Sequence, residues 1–330
     1  MNNQEWAQRL RGAYRTFATE QGFAKPDRSI SLPSGIHFDG DERRASLSIG
    51  AAGVVSNMQS DASAFEAWCM ALRLWLNVQA IELRWEAPSF DIRDPDAKKK
   101  LRHFRRFLYR AERFSSLMSW MSIAEECPRE PLPDALILNV AGTRNASPRV
   151  LSEDAKRQSV EFELEERLRS SSQFRAHYGL DRVSYQMPVG VFEGSVSKAT
   201  RLFPSGKSAI DLIGLGNKRL VVFELKAQSY IPAGGLSELL FYTAVMRDVT
   251  RRPPRMMFDS KESMSGEISP QDIIEAEAIA GVFLVDELHP LLQHPALAAS
   301  LNAAAENTWN LEPGSKPTTF EVTTLQDAGL

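Results

Sequence analysis

Two apolar runs separated by a short turn constrain this chain more than any other feature. They are Ile210-Asp211-Leu212-Ile213-Gly214 and Leu220-Val221-Val222-Phe223-Glu224-Leu225-Lys226, joined through residues 215–219. Apolar runs bounded by a turn containing Gly and Asn predict a β-hairpin. Val221-Val222-Phe223 makes the second run nearly all apolar, the pattern of a central strand covered on both faces. Side chains on a strand alternate, so Glu224 and Lys226 point one way and Phe223 and Leu225 point into the core. The hairpin carries Asp211 back beside Glu224. Charged groups ending a buried strand need water, a partner or a metal. Two carboxylates and an amine converging there offer hard oxygen ligands for Mg²⁺ or Mn²⁺, with a lysine placed to orient a nucleophilic water or stabilise phosphate charge. A Glu-x-Lys at a strand end is also a common exposed edge pair, and the motif alone leaves that alternative standing.

The flanking segments extend the pattern. Residues 159–170 carry Val160, Leu164 and Leu168 at four-residue steps between Glu and Arg, an amphipathic helix. Residues 183–192 read as a strand leading to the hairpin. After Pro232-Ala233-Gly234-Gly235, residues 236–247 read as a second helix with Ser237 as its cap, and 279–285 as a compact buried strand.

Asp211 followed by Glu224-Leu225-Lys226 resembles the hallmark of the PD-(D/E)xK nuclease superfamily: an Asp, a gap, then (Asp/Glu)-x-Lys. The element order resembles that family's core over about residues 155–290. The resemblance implies an α/β, restriction-endonuclease-like αβββαβ core with a mixed central sheet, here preceded by an N-terminal α+β region. It implies that Asp211 and Glu224 hold Mg²⁺ (or Mn²⁺) with the backbone carbonyl of Leu225, and that Lys226 orients the attacking water. The first core helix of the family often adds an acidic ligand. Glu161 and Glu165 share a helix face here and Glu165 is preferred, a merely solvated acidic face being the alternative. Several branches carry Gln-x-x-x-Tyr on the second helix. Tyr242 matches and is expected to contact DNA, whereas Glu238 stands where Gln is usual. Gln228, two residues past Lys226, falls on the same face if the strand continues, and is a further candidate for DNA contact.

Net charge is −3, which does not favour a nucleic-acid enzyme on average, but the distribution is uneven. Residues 94–113 are rich in Lys and Arg, with aromatics interleaved. On a helix, Arg102, Arg105, Arg106, Arg110 and Arg113 follow a three- and four-residue rhythm and form one basic face. That face suits a phosphate backbone, and equally suits an ordinary solvated helix. Arg251, Arg252 and Arg255 form a smaller basic cluster.

The chain is expected to divide into residues 1–150, whose role the sequence does not choose among DNA recognition, partner binding and substrate positioning, and 151–330, the nuclease-like part. In the first part, residues 3–21 read as a helix, 44–55 as a strand, and 62–78 as a helix capped by Asp61. A short strand at 81–85, the basic helix at about 95–120, a strand at 135–140 and a linker at 142–149 follow. No apolar run approaches a bilayer-spanning length, and Cys69 and Cys127 suggest neither zinc site nor disulfide framework, so a reducing cytoplasm is the expectation.

Three decoys fail on spacing. Gly206-Lys207-Ser208 lacks the first P-loop glycine, Arg201 standing in its place; Gly214-x-Gly216 lacks the third glycine of a dinucleotide fingerprint; the five histidines show no metal-ligand spacing. The leading expectation is therefore a metal-dependent nuclease acting on DNA, in restriction or anti-phage defence by family analogy, working as a homodimer or with a protein partner. A nuclease-fold binding or scaffold module, and an unrelated α/β ligand-binding protein with a chance motif, are the alternatives.

Overall fold

A computed structural model describes residues 1–23, 30–91, 93–139, 153–204, 208–227, 233–259 and 267–330; of residues 153–159 it gives the backbone alone. The protein is mixed α/β. It packs as two units, one of Met1–Leu132 with Pro232–Glu238 and Leu288–Ala304, the other of Pro133–Ile231, Leu239–Glu287 and Ala305–Leu330. The division thus falls nearer 132 than 150, and two later segments join the first unit. The linker expected at 142–149 lies outside the described residues. Among those described, no helix is long and apolar enough to cross a membrane.

The first unit opens with α1 (Asn3–Glu20), started by a capping box in which the Asn2 side chain accepts from the Gln4 and Glu5 amides while Glu5 accepts from the Asn2 amide. Trp6, Leu10, Tyr14 and Ala18 form its buried stripe. Then follow β1 (Ile36–Gly40), β2 (Arg44–Ile49), α2 (Ala51–Val54), α3 (Phe65–Leu76), β3 (Ala80–Trp85), α4 (Ala97–Leu117) and β4 (Met121–Ile123). The sheet order is β1-β2-β3-β4, with β1 antiparallel to β2 and the other pairings parallel. Alternate residues of β2 and β3 are buried (Ala45, Leu47, Ile49; Ile81, Leu83, Trp85). The strand expected over 44–55 ends at Ile49, and Asp61 does not cap the helix after it. Asp61 instead opens a 3-10 turn, its carbonyl accepting from the Trp68 indole, and α3 begins at Phe65.

The second unit contains β5 (Leu136–Leu138), α5 (Glu153–Ser170), α6 (Ser172–Tyr178), β6 (Arg182–Pro188), β7 (Val191–Glu193), β8 (Ala209–Gly216), β9 (Arg219–Lys226), α7 (Gly235–Thr250, whose first turn belongs to the first unit), β10 (Met256–Phe258), α8 (Pro270–Ile274), β11 (Ala278–Val285), the last turn of α9 (Leu297–Asn307, the rest of which belongs to the first unit) and β12 (Thr318–Thr324). Its main sheet has the order β12-β11-β9-β8-β6. β6, β8 and β9 form an antiparallel meander; β11 lies parallel to β9, and β12 parallel to β11. The expected hairpin is β8–β9, and its turn is Asn217-Lys218, both at positive φ (49° and 59°), the backbone that matches strand twist in a two-residue hairpin.

From Leu220 onward every residue of β9 is buried, as a central strand requires. One face packs Leu212, Val221, Phe223, Leu225, Ala280, Val282 and Leu284 against Leu164, Leu168, Phe174 and Tyr178 of α5 and α6. At β11 a Cβ on Gly281 would stand 2.5 Å from Thr243 Oγ1 and 3.3 Å from Leu239 Cδ1, so the missing side chain lets α7 lie close on this strand. The single strand expected over 183–192 is two: β6 stops at Pro188, and β7 pairs with β5 in a separate small sheet with β10. Pro188 has no amide to continue a ladder. Ser237 is not the cap, because α7 already begins at Gly235 and Ser237 lies inside its first turn, where its hydroxyl donates to Glu66 Oε2 at 2.7 Å.

Candidate active site

The hairpin ladder runs down to the rung Leu212↔Phe223. Past that rung the Asp211 carboxylate takes over as acceptor, Oδ2 receiving the Leu225 amide at 2.8 Å. This bond fixes Asp211 against the Glu224-Leu225-Lys226 segment, as the hairpin predicts. Glu224 is 2 % exposed and Lys226 8 %. Lys226 Nζ donates to Glu224 Oε1 at 2.5 Å and lies 3.8 Å from Glu161 Oε1 on α5. The pair is thus internal to the protein and not an exposed edge pair. Leu225 gives its side chain to the core cluster and its amide to Asp211.

Glu165, one helical turn beyond Glu161, is 3 % exposed. Its Oε1 accepts from Gln186 Nε2 at 2.7 Å, and its Oε2 has no hydrogen-bond partner among the described residues. Burial and then the nearby Asp211 charge push its carboxyl up to about 8; Glu161 adds to the rise, while the Gln186 bond and the Lys226 charge oppose it. Asp211, Glu161, Glu165 and Lys226 therefore share one electrostatic neighbourhood, with Glu224 joined to it through Lys226. Among the described residues, however, no three His, Cys, Asp or Glu side chains are arranged as a group that could hold a metal ion. The carboxylates are close enough to repel one another but not gathered on one point, and the Lys226 ammonium takes the cation's role against Glu224.

The other expected site residues fall elsewhere. Gln228 lies outside the described residues, as does most of the Gly206-Lys207-Ser208 decoy. Tyr242 is 1 % exposed on α7, with its ring 5.3 Å from that of Phe241, so it presents no surface for DNA. Glu238, at the position where Gln is usual, accepts from Gln59 at 2.7 Å inside the first unit.

The solvated basic face expected on α4 is corrected. Arg106, Arg110 and Arg113 are 3 %, 3 % and 9 % exposed. Arg110 grips Glu66 with two bonds, Nε to Oε1 at 2.9 Å and Nη2 to Oε2 at 2.5 Å, and reaches the Ser63 carbonyl at 2.7 Å. Arg106 donates to Asn57 Oδ1 at 3.2 Å, and Arg113 lies 4.9 Å over the Tyr109 ring. Arg105 pairs with Glu130 at 2.5 Å, and Arg102 is half-buried. Most of these guanidinium groups are thus spent on the protein's own interior. Of the smaller cluster, Arg255 lies 3.6 Å from Asp248 and 3.5 Å from Glu312, and Arg252 donates to the Ile274 carbonyl.

Gln186 is the residue that sequence reading passes over. It falls at the rung the β6–β8 ladder skips, between the pairs Tyr185↔Leu212 and Met187↔Ile210, and nothing in its local sequence marks it. Compared with known proteins, the chain matches no family, no curated protein and no solved structure.

Proposed function

We propose that this chain is a metal-dependent nuclease of the PD-(D/E)xK, restriction-endonuclease-like type, hydrolysing phosphodiester bonds in DNA. One observation carries the reading: the Asp211–Leu225 bond that fixes a carboxylate beside Glu224 and Lys226 at the end of a buried central strand. The order of helix α5, meander β6-β8-β9, helix α7 and parallel strand β11 supports it, being the αβββαβ sequence of that core.

Carboxylate oxygens are the donor type a hard divalent cation takes, and Glu165 Oε2 is buried with no hydrogen-bond partner among the described residues, although these carboxylates are not gathered as a three-ligand group. Asp211 and Glu224 would hold Mg²⁺ (or Mn²⁺), with Glu165 as an outer carboxylate. A bound divalent ion supplies a water of lowered pKa and a counter-charge for the leaving oxygen. The chain's own part is positional. The Leu225 amide holds Asp211 in one rotamer, Glu224 holds Lys226, and the Lys226 ammonium orients the attacking water or the phosphate oxygen beside it. The packing of Phe223 and Leu225 behind these groups keeps bulk water from the strand.

The reading is tested by cleavage of DNA under Mg²⁺ titration with wild type and Asp211→Ala. The variant should lose cleavage while its far-UV circular dichroism stays unchanged; cleavage at the wild-type rate refutes the site. One observation favours a second reading, a weakly active or inactive nuclease-fold module acting in a larger complex: the 2.5 Å Glu224–Lys226 bond, which already neutralises one proposed ligand. DNA binding without cleavage at any Mg²⁺ or Mn²⁺ concentration would select it.

A further inference from the structure

The smaller basic cluster of the sequence, Arg251, Arg252 and Arg255, has no part in the site above. A fourth arginine joins it, Arg247, fully buried in the last turn of α7. Arg247 Nη2 donates to the Trp309 carbonyl at 2.9 Å and to Ser315 Oγ at 2.8 Å, and its guanidinium lies 4.9 Å over the Trp309 ring. Arg251 Nη2 donates to the Pro313 carbonyl at 3.2 Å, and the Arg252 amide to the Gly314 carbonyl at 2.8 Å. These bonds pin residues 309–315 against the end of α7. None of them uses the side chain of Glu312, which belongs to the same segment.

Glu312 sits among the charges instead. Its Oε2 is 3.0 Å from Arg247 Nη2 and 3.5 Å from Arg255 Nη2, yet it is buried without an aligned hydrogen bond to either. A well-matched arginine and carboxylate make two parallel bonds. Arg247 Nε and Nη1 and Arg251 Nε are also buried with no hydrogen-bond partner among the described residues. Burial pulls the Glu312 carboxyl upward, but Arg247, then Arg255 and Arg251, outweigh it and hold the carboxyl below its usual range. Burial and then the Arg255 charge pull the Arg251 guanidinium down.

Three guanidinium groups thus face two carboxylates, Glu312 and Asp248, the latter 3.6 Å from Arg255. Pinning the segment accounts for the bonds to carbonyls and to Ser315. It does not account for three forks around one poorly aligned carboxylate. A phosphate carries more charge and presents its oxygens tetrahedrally, so it can accept from several forks at once. Arg251, Arg255 and Glu312 are each partly exposed, which leaves the cluster open to an anion from solvent.

We propose that Arg247, Arg251 and Arg255 form a seat for a phosphate group, which takes the place of the Glu312 carboxylate beside Arg247 and Arg255. The backbone around Glu312 is held by other residues, so its side chain can leave without unfolding the segment.

The test titrates inorganic phosphate, and separately the monoester phenyl phosphate, into the full-length chain by calorimetry, against chloride at matched ionic strength. Wild type should bind phosphate and rise in Tm with its concentration. Glu312→Gln removes the resident charge and should bind roughly tenfold more tightly, while Arg251→Gln and Arg255→Gln should each bind roughly tenfold more weakly. Arg247 is left intact because it holds Trp309 and Ser315. Tighter binding of the monoester assigns the seat to a phosphorylated molecule, and tighter binding of inorganic phosphate to the free ion. No binding by either wild type or Glu312→Gln overturns the proposal. Affinity unchanged in both arginine variants also overturns it and marks phosphate as an adventitious ion only. Glu312→Gln binding no more tightly than wild type overturns it as well. Should an arginine variant lose Tm without phosphate, the affinity of Glu312→Gln decides alone.

Discussion

Replacing Arg110 by alanine separates the two roles open to the basic helix α4. Arg110 and Glu66 are 3 % and 1 % exposed and joined by two bonds, with Ser63 and Ser237 completing the cluster. Removing the guanidinium leaves a carboxylate buried with its main counter-charge gone. That costs about 3–5 kcal/mol, far above the contribution of an exposed pair. The guanidinium also lies 5.1 Å over the Phe65 ring, so its packing is lost as well. Against the stability of an ordinary domain, about 5–15 kcal/mol, the loss is a large fraction. Five of the six tryptophans (Trp6, Trp68, Trp75, Trp85 and Trp120) belong to the first unit, so tryptophan fluorescence during urea unfolding reads mainly that unit. Arg110→Ala should move its midpoint strongly downward. The double variant Arg110→Met/Glu66→Met should recover most of the loss, because an apolar pair of similar volume replaces the charges. A loss below about 1 kcal/mol in Arg110→Ala, together with weakened and less salt-dependent DNA binding, would refute the interior role and restore the phosphate-contact one.

Other outcomes follow from the second unit. Glu165 has its carboxyl pushed up to about 8 from an ordinary 4.5, so the folded state holds this proton more tightly than the unfolded chain does. Its favourable contribution is complete below about pH 4.5 and is lost as pH rises through about 8, a change on the order of a few kcal/mol. Without divalent metal, Tm by calorimetry should therefore fall across this window in wild type and fall less in Glu165→Gln; parallel curves would contradict the burial argument. Gly281→Ala puts a methyl group 2.5 Å from Thr243 Oγ1 and should destabilise by about 1–3 kcal/mol in chemical denaturation. A neutral effect would mean that α7 is free to move away from β11.

The parts of this fold legible in the sequence are those with a local signature. The hairpin could be read because apolar runs and turn residues are neighbours in the chain, and the burial of β9 because Val221-Val222-Phe223 leaves no polar face. Asp211 beside Glu224 then follows from antiparallel pairing. Legibility fails where the deciding partner is distant in sequence. Helical spacing shows that Arg106 and Arg110 share a face, but not that Asn57 and Glu66 cover it. β12 carries a short strand pattern, Phe320 and Val322 alternating among threonines, but nothing local names its partner, and its place comes from parallel pairing with β11. The split of residues 183–192 into two sheets turns on Pro188 and Gly190, which an uninterrupted strand reading passes over. Gln186 is the extreme case, since no residue pattern announces a glutamine at positive φ in a strand. Its bond to Glu165 emerges only when β6 and α5 are seen together.

The central claim is that Asp211, Glu224 and Lys226 form a metal-dependent phosphodiesterase site. Incubation of supercoiled plasmid and single-stranded DNA with Mg²⁺, Mn²⁺ or EDTA, comparing wild type with Lys226→Ala, tests it most directly. The account predicts nicking or cutting by wild type that requires the metal and disappears in Lys226→Ala. Metal-dependent cleavage that persists undiminished in Lys226→Ala, or no cleavage by wild type under any of these conditions, would contradict it.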